Sequence, residues 1–451
     1  MEAAMQEWLD KSATELGDAI GSGEVDPVEL TQAFFDKIKV HELSDRIYAR
    51  LTEDRAFNEA EAARERAKLG QRLSCLDGVP ISWKDLFDTA GTATEAGSKL
   101  LKGRVPDKDA LVLRNASAYG LVCLGKTHMS ELAFSGLGYN PSTATPPCVN
   151  DFDAVPGGSS SGTAASIAFG LAPAGIGSDT GGSVRIPAAW NDLVGLKTTT
   201  GRLSLEGCVP LSLKFDTIGP LAKSVRDVAV LMSVMEGRRS FDLRGASLKG
   251  RRFAALQTVV LDDIRNAPLT AYNEALEQLQ DAGAIVEKVE APELSGENGA
   301  MATAGPLYPG EVYGLWRDVI EANPDDMYFE ILERFRLGSN FSAPDYNSAW
   351  SRLEAARQIW NRRMNSFDAV LSPSSPILPP NLDRLNKDSK YYVTENLLTL
   401  RNTRVGNLLG LCALTIPTGV PSCGIMLMGA PNSEEALLRV GIAAEQALVK
   451  S

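Results

Sequence analysis

Apolar and polar positions along this chain alternate between two patterns, short continuous apolar runs and longer segments with helical spacing. Residues 28–38 repeat apolar side chains at the spacing of one helix face, and Asp26, Pro27 and Glu29 ahead of them supply an N-cap, a first-turn proline and a capping-box acid. The run VPISW, ending at Lys84, and the run LVCLG, ahead of Lys126, read as short strands. Residues 163–170, TAASIAFG, predict a helix of small side chains, and LAPAGIG returns from it as a strand. Residues 413–417 and 424–428 are as apolar as any earlier run and predict further buried strands. No Pro/Ser-rich or charged linker divides the 451 residues, and no internal repeat appears. These elements predict a single large α/β domain over 1–451, with a mixed central sheet covered by helices on both faces.

Composition narrows the classes of function. The chain is 44% hydrophobic, enough for a large core, and carries a formal charge of −12 with no basic stripe. Nucleic acid and anionic membrane surfaces are therefore not expected as partners. No apolar run is long enough to predict a membrane span, and the first residues, MEAAMQEWLDKS, lack the pattern of a signal peptide. The six cysteines, at 75, 123, 148, 208, 412 and 423, have no metal-ligand spacing. They predict free thiols in a reducing, cytoplasmic setting, with neither metal nor cofactor.

The chemistry concentrates in GGSSSGTAASIAFGLAPAGIGSDTGGSVRIPAAW, residues 157–190. It holds two glycine-flanked serine clusters, Ser159–Ser161 and the one ending at Ser183. Glycine pairs let the backbone turn sharply and leave N–H groups free to point into a cleft. Attack on a carbonyl by a hydroxyl needs this combination of an exposed serine and donors for the developing oxyanion. Either cluster alone reads as an ordinary Gly/Ser loop; both together, with Asp179 and Arg185 around the second, point to catalysis.

A serine nucleophile needs a base, and the chain has only two histidines, His41 and His128. The first lies in a charged stretch that reads as a helix end, and the second reads as a loop or cap residue. Lys84 is the better candidate, because Val79, Pro80, Ile81 and Trp83 precede it and Leu86 and Phe87 follow. Burial at the end of such a strand disfavours the ammonium form and frees the amine to take a proton. A surface pair of Lys84 with Asp85 is the weaker alternative.

These motifs resemble those of the amidase signature family, serine hydrolases with a Ser–cisSer–Lys triad. The likeness rests on GVPISWKDLFDTAG, PGGSSSGTAA, GSDTGGSVRIPA and GLKTTTGRLS, and extends more weakly to both ends of the chain. It implies an acyl-forming nucleophile at Ser183, a serine on a cis peptide bond at Ser159 that relays the proton, and a terminal base at Lys84. It also implies an oxyanion hole from the N–H groups of Thr180, Gly181, Gly182 and Ser183. Ser160, Asp179 and Arg185 are expected to support these residues, Arg185 by pairing with Asp179. Residues 75–220 are expected to form the catalytic core and residues 295–400 a variable region covering the substrate.

The pocket is less legible. The Pro-, Gly- and Thr-rich loop at 135–150 leads into the first serine cluster, so Tyr139 and Asn140 are candidates for its wall. Tyr313, Trp316, Phe335 and Phe341 favour core packing, with a cradle for a substrate ring as the alternative use of Tyr313 and Trp316. The family includes the glutamine-hydrolysing chains of amidotransferases, which place an acid ahead of the C-terminal NLxGLP-type motif to bind the amino group of glutamine. Here that place falls near Leu400 and Arg401, with no acid. The expected activity is cleavage of C–N bonds in small neutral or aryl amides, extending to anilides, esters and carbamates (urethanes), by a monomer or homodimer. The alternative is the glutamine-hydrolysing A component of a tRNA-dependent amidotransferase complex.

Overall fold

The computed structural model describes residues 7–448. The chain lays down β1 (Tyr48–Leu51), β2 (Pro80–Lys84), β3 (Val122–Thr127), β4 (Ala174–Ser178), β5 (Val194–Lys197) and β6 (Ile218–Ala222). Then follow β7 (Arg252–Leu256), β8 (Ile285–Val289), β9 (Ala369–Pro373), β10 (Cys412–Pro417) and β11 (Gly424–Gly429). All eleven join one sheet in the order β1-β3-β2-β4-β6-β5-β10-β11-β9-β7-β8. β2 runs parallel to both β3 and β4, and β7 parallel to both β8 and β9. The strands between these two groups pair antiparallel, as does β1 with β3, so the sheet is mixed as expected.

Alternate residues of the central strands enter different layers. Leu414, Ile416, Ile425 and Leu427 pack with Leu437, Leu438 and Ala444 of the helix Glu434–Leu448. Ala413, Met426 and Met428 pack with Val405 and Leu408 of the helix Ser389–Leu408. With both faces covered, these strands need no polar side, which is why they read as continuous apolar runs.

The helix expected over 28–38 spans Pro27–Val40, and the Asp26 carboxylate accepts from Val28 N and Glu29 N at 2.8 and 3.1 Å. The reciprocal capping-box bond from Glu29 does not form; Asp26 uses its second oxygen on Arg64 instead. The small-residue helix begins earlier than expected, at Ser161, with Ser160 as its N-cap. All six cysteines are free, and among the described residues no helix is long and apolar enough to cross a membrane.

β6 crosses β5 closely at Gly219, where an added Cβ would lie 1.8 Å from the carbonyl oxygen of Leu196. Both atoms belong to neighbouring strands, so the clash cannot be relieved by a side-chain rotation. Gly219→Ala is expected to destabilise the fold by about 3 kcal/mol or to abolish soluble expression; urea unfolding of the purified variant measures this.

Candidate active site

β2 and β4 are parallel neighbours, so their C-terminal ends lie side by side, the usual place for a site in an α/β sheet. Lys84 ends one strand and Ser178 the other. The fully buried Lys84 Nζ donates to Ser159 Oγ at 2.7 Å and to Ser178 Oγ at 2.8 Å. Its neighbour Asp85 turns elsewhere, to Arg50 at 2.9 Å and Lys126 at 3.4 Å, so the Lys84–Asp85 surface pair does not exist. Burial brings the Lys84 amine down to about 7, with the more distant charges of Asp216 and Asp179 opposing the shift.

The two serine clusters are stitched together through their backbones. Ser160 N donates to Ser183 O at 3.2 Å, and Ser159 O accepts from Ser130 N at 3.1 Å. The Gly158–Ser159 peptide bond is cis, as the family likeness implies. Ser160 Oγ donates to Ser178 O at 3.4 Å, linking the first cluster to the end of β4. Ser178 is a site residue that sequence reasoning missed, although it stands directly before Asp179 in GSDTGGS.

Asp179 and Arg185 form a fully buried pair, with Arg185 Nε and Nη2 on the two carboxylate oxygens at 3.0 and 2.9 Å. The same carboxylate accepts from Asn407 Nδ2, Gly182 N and Val184 N at 2.8, 2.9 and 3.1 Å. Arg185 Nη1 also donates to Thr403 O at 2.8 Å. This guanidinium holds Asp179 well below the ordinary carboxylate range despite its burial. One expectation is corrected here: the Gly182 N–H is committed to Asp179 and is not free for an oxyanion. Gly182 has φ +139°, and an added Cβ would sit 2.2 Å from Thr403 Oγ1, so the loop admits only glycine.

Ser183 opens onto a small cavity that it shares with Thr180, Gly181, Phe134, Tyr308, Leu400 and two arginines, Arg334 and Arg404. None of the expected wall residues lines it. Tyr139 bonds Asn386 through its hydroxyl at 2.8 Å and packs edge-on against Tyr328. Asn140 is buried, its amide tying Gly97 O and Met129 O together at 2.9 and 2.7 Å. Trp316 is core, donating to Pro210 O at 3.1 Å, and the Tyr313 hydroxyl bonds Glu321 at 3.3 Å on the outer side. In their place stands Tyr308, whose hydroxyl donates to Thr180 O at 3.0 Å and holds the glycine loop from above.

Two cationic side chains also border the cavity. Arg334 donates to Phe134 O at 2.7 Å and lies over the Phe134 ring, while Arg404 lies over the Tyr308 ring. Among the described residues neither pairs with a carboxylate. Leu400 and Arg404 are four residues apart on one helix, a spacing that puts both on one face. That spacing was the available signal for Arg404; Arg401, one residue from Leu400, turns instead to the carbonyls of Val260 and Asp262.

Known proteins share this architecture. The Amidase family model matches residues 29–438, and the chain belongs to that family. It is similar to the A component of the glutamyl-tRNA(Gln) amidotransferase of Chloroflexus aggregans, 32% identical over 94% of this chain and 93% of that one. Its structure is similar to that of an amidase (TM-score 0.86, 29% identity, 97% of this chain and 100% of that one). It is also similar to the peptide amidase of Stenotrophomonas maltophilia (TM-score 0.82, 27% identity, 97% of each chain). The protein is thus an amidase-family enzyme.

Replacing Arg185 by leucine would leave Asp179 buried without its counter-charge. Arg185→Leu is expected to lose about 3–5 kcal/mol of stability, the cost of breaking a buried pair on one side. Denaturant unfolding beside the unsubstituted chain checks it; a loss below about 1 kcal/mol would mean that the pair is not a structural brace.

Proposed function

We propose that the protein is a serine amidase working through an acyl-enzyme on Ser183. The observation that carries this is the 2.7 Å hydrogen bond from a fully buried lysine to Ser159, on a loop whose next residue is bonded to Ser183. In this reading neutral Lys84 takes the proton of Ser159 as Ser159 takes that of Ser183. Ser183 Oγ then attacks the amide carbon, and the N–H groups of Thr180, Gly181 and Ser183 receive the oxyanion. Collapse breaks the C–N bond, and the amine leaves with the proton returned through Ser159. Water repeats the sequence on the ester, releasing the acid and restoring Ser183.

Residues 75–220 supply the reacting groups in this scheme, and residues 295–400 cover them, with Tyr308, Arg334 and Leu400 drawn from that region. Amides are the expected substrates, with esters and carbamates of the same acyl shape as further ones; the free cysteines support a cytoplasmic setting. The expectation of small neutral or aryl amides draws no support from a cavity lined by Arg334 and Arg404. The second reading, the glutamine-hydrolysing chain of an amidotransferase, is favoured by the names of the relatives. Against it, the residues lining the cavity include no carboxylate for the ammonium group of glutamine. Turnover of glutamine in preference to simple amides, or only after a partner protein is added, would establish the second reading.

Ser183→Ala is expected to lower kcat/KM for an amide by a factor of about 10⁴ or more. A variant keeping a tenth of the activity would remove Ser183 from the role. Activity should rise with pH through an apparent pKa near 7, because lysine must lose its proton before it can accept one. That value belongs to the coupled lysine and serines together. Lys84→Arg is expected to be nearly inactive across the same pH range, since guanidinium cannot act as a base; substantial turnover by this variant would refute the assignment.

A further inference from the structure

Asp216 is a buried carboxyl beside the reacting loop, and among the described residues no cation is bonded to it. Thr180 Oγ1 donates to one of its oxygens at 2.5 Å, and Leu211 N and Ser212 N donate to the other at 2.9 and 3.1 Å. All three donors are neutral, whereas the buried Asp179 has Arg185. Burial therefore raises Asp216 to about 6, and the charge of Glu311, which accepts from Ser212 Oγ at 2.7 Å, adds to the shift. Sheet register decides what Asp216 faces. Ser178 pairs with Ile218, and Asp179 and Thr217 exchange backbone hydrogen bonds at 2.8 and 3.1 Å, which brings Thr180 opposite Asp216. Side chains alternate along extended backbone, so Ser178, Thr180, Asp216 and Ile218 share one face, and all four line one small cavity. On that face Ser178 Oγ accepts from Lys84 at 2.8 Å. An amine and a carboxyl are thus each held by a hydroxyl, two residues apart on one strand end, without touching. Of the carboxylates whose charge reaches Lys84, Asp216 acts most strongly, and Asp179 is already offset by Arg185. Cys208, also on the cavity wall, is kept as a thiol by its burial.

We propose that Asp216 is a positioning residue that acts through Lys84, its charge stabilising the ammonium that forms when Lys84 takes the serine proton. This rests on the acyl-enzyme reading and adds a residue that reading does not use. The proton passes from Ser183 to Ser159 and from Ser159 to Lys84, which becomes a cation, while Asp216 stays an anion and neither gains nor loses a proton. Burial alone would leave the lysine neutral but weakly basic. A carboxylate near it restores part of its affinity for a proton, and base strength drives the transfer. The same carboxylate anchors the side chain of Thr180, so base strength and loop position come from one residue. Asp216→Asn separates the two effects. Its amide oxygen can accept from Leu211 N and Ser212 N while its NH2 donates to Thr180 Oγ1, so the charge is removed and the contacts are kept.

The rate at which methanesulfonyl fluoride labels Ser183, read from the mass of the intact chain as a function of pH, tests this without a known substrate. Ser183 Oγ displaces fluoride from sulfur and its proton passes to Lys84, so the rate follows the ionisation of Lys84. The unsubstituted chain should be labelled faster as pH rises through about 7. In Asp216→Asn the same rise should fall about one pH unit lower, with a limiting rate several-fold smaller. The less basic lysine is free at lower pH but draws the proton more weakly. Asp216→Glu, which keeps the charge, should bring the rise back towards its original position. A displaced loop alone would reduce the limiting rate and leave the midpoint in place. A midpoint unchanged or moved to higher pH in Asp216→Asn therefore overturns the proposal and leaves the acyl-enzyme reading standing. Where that variant gives no soluble chain, Asp216→Ser, smaller and equally uncharged, carries the same expectation and the same overturning result. An unsubstituted chain that is not labelled at Ser183 overturns the acyl-enzyme reading and this proposal with it.

Discussion

The buried ion pair between Asp179 and Arg185 is the interaction on which the site depends. A carboxylate removed from water needs every lone pair occupied, and Asp179 meets that demand by drawing in Gly182 N, Val184 N, Asn407 and the guanidinium at once. Each of those partners fixes something else. Gly182 and Val184 bracket Ser183, while Asn407 and Thr403 belong to the helix Ser389–Leu408, which also presents Leu400 and Arg404 to the cavity. One desolvated charge thereby sets the shape of the reacting loop and its distance from the covering helix.

Three lysines at strand ends are fully buried, and their differences show how partners decide chemistry. Lys126 donates to Phe87 O and Thr94 Oγ1 and stands 3.4 Å from the Asp85 carboxylate. Lys197 donates to two backbone carbonyls, Thr198 O and Leu411 O. The carboxylate beside the first opposes the effect of its burial, and carbonyls give the second no proton to exchange. Lys84 alone has only hydroxyl groups as its hydrogen-bond partners, and a hydroxyl can give a proton back. Burial lowers all three; the difference lies in what each touches.

The helices of residues 300–408 explain why the aromatic residues of this region divide as they do. Trp316 and Phe335 supply core packing, Phe335 edge-on against Phe134 at 4.8 Å. Tyr308 alone among the aromatics of this region reaches the reacting loop. The rings form the support for the cavity wall, and charged side chains complete its lining. Apolar content in a covering region is thus a poor guide to the polarity of what it covers, because most of its rings are needed to seat the helices.

Local features of the chain were readable because local physics produces them. The strand ending at Lys84, the cap at Asp26 and the glycine turns before Ser159 and Ser183 follow from side-chain size, capping chemistry and backbone freedom within a few residues. The motif likeness placed Lys84, Ser159 and Ser183 together, and Arg185 with Asp179, since spacing alone keeps that last pair close. The meeting of Ser178 with Lys84, of Tyr308 with Thr180, and of Arg334 and Arg404 with Ser183 joins residues far apart in the chain. Strand order and helix docking decide those encounters, and they also turned Tyr139, Asn140, Tyr313 and Trp316 away from the site. A sequence states which side chains are available; which of them lose their water to one another is settled only when distant elements pack.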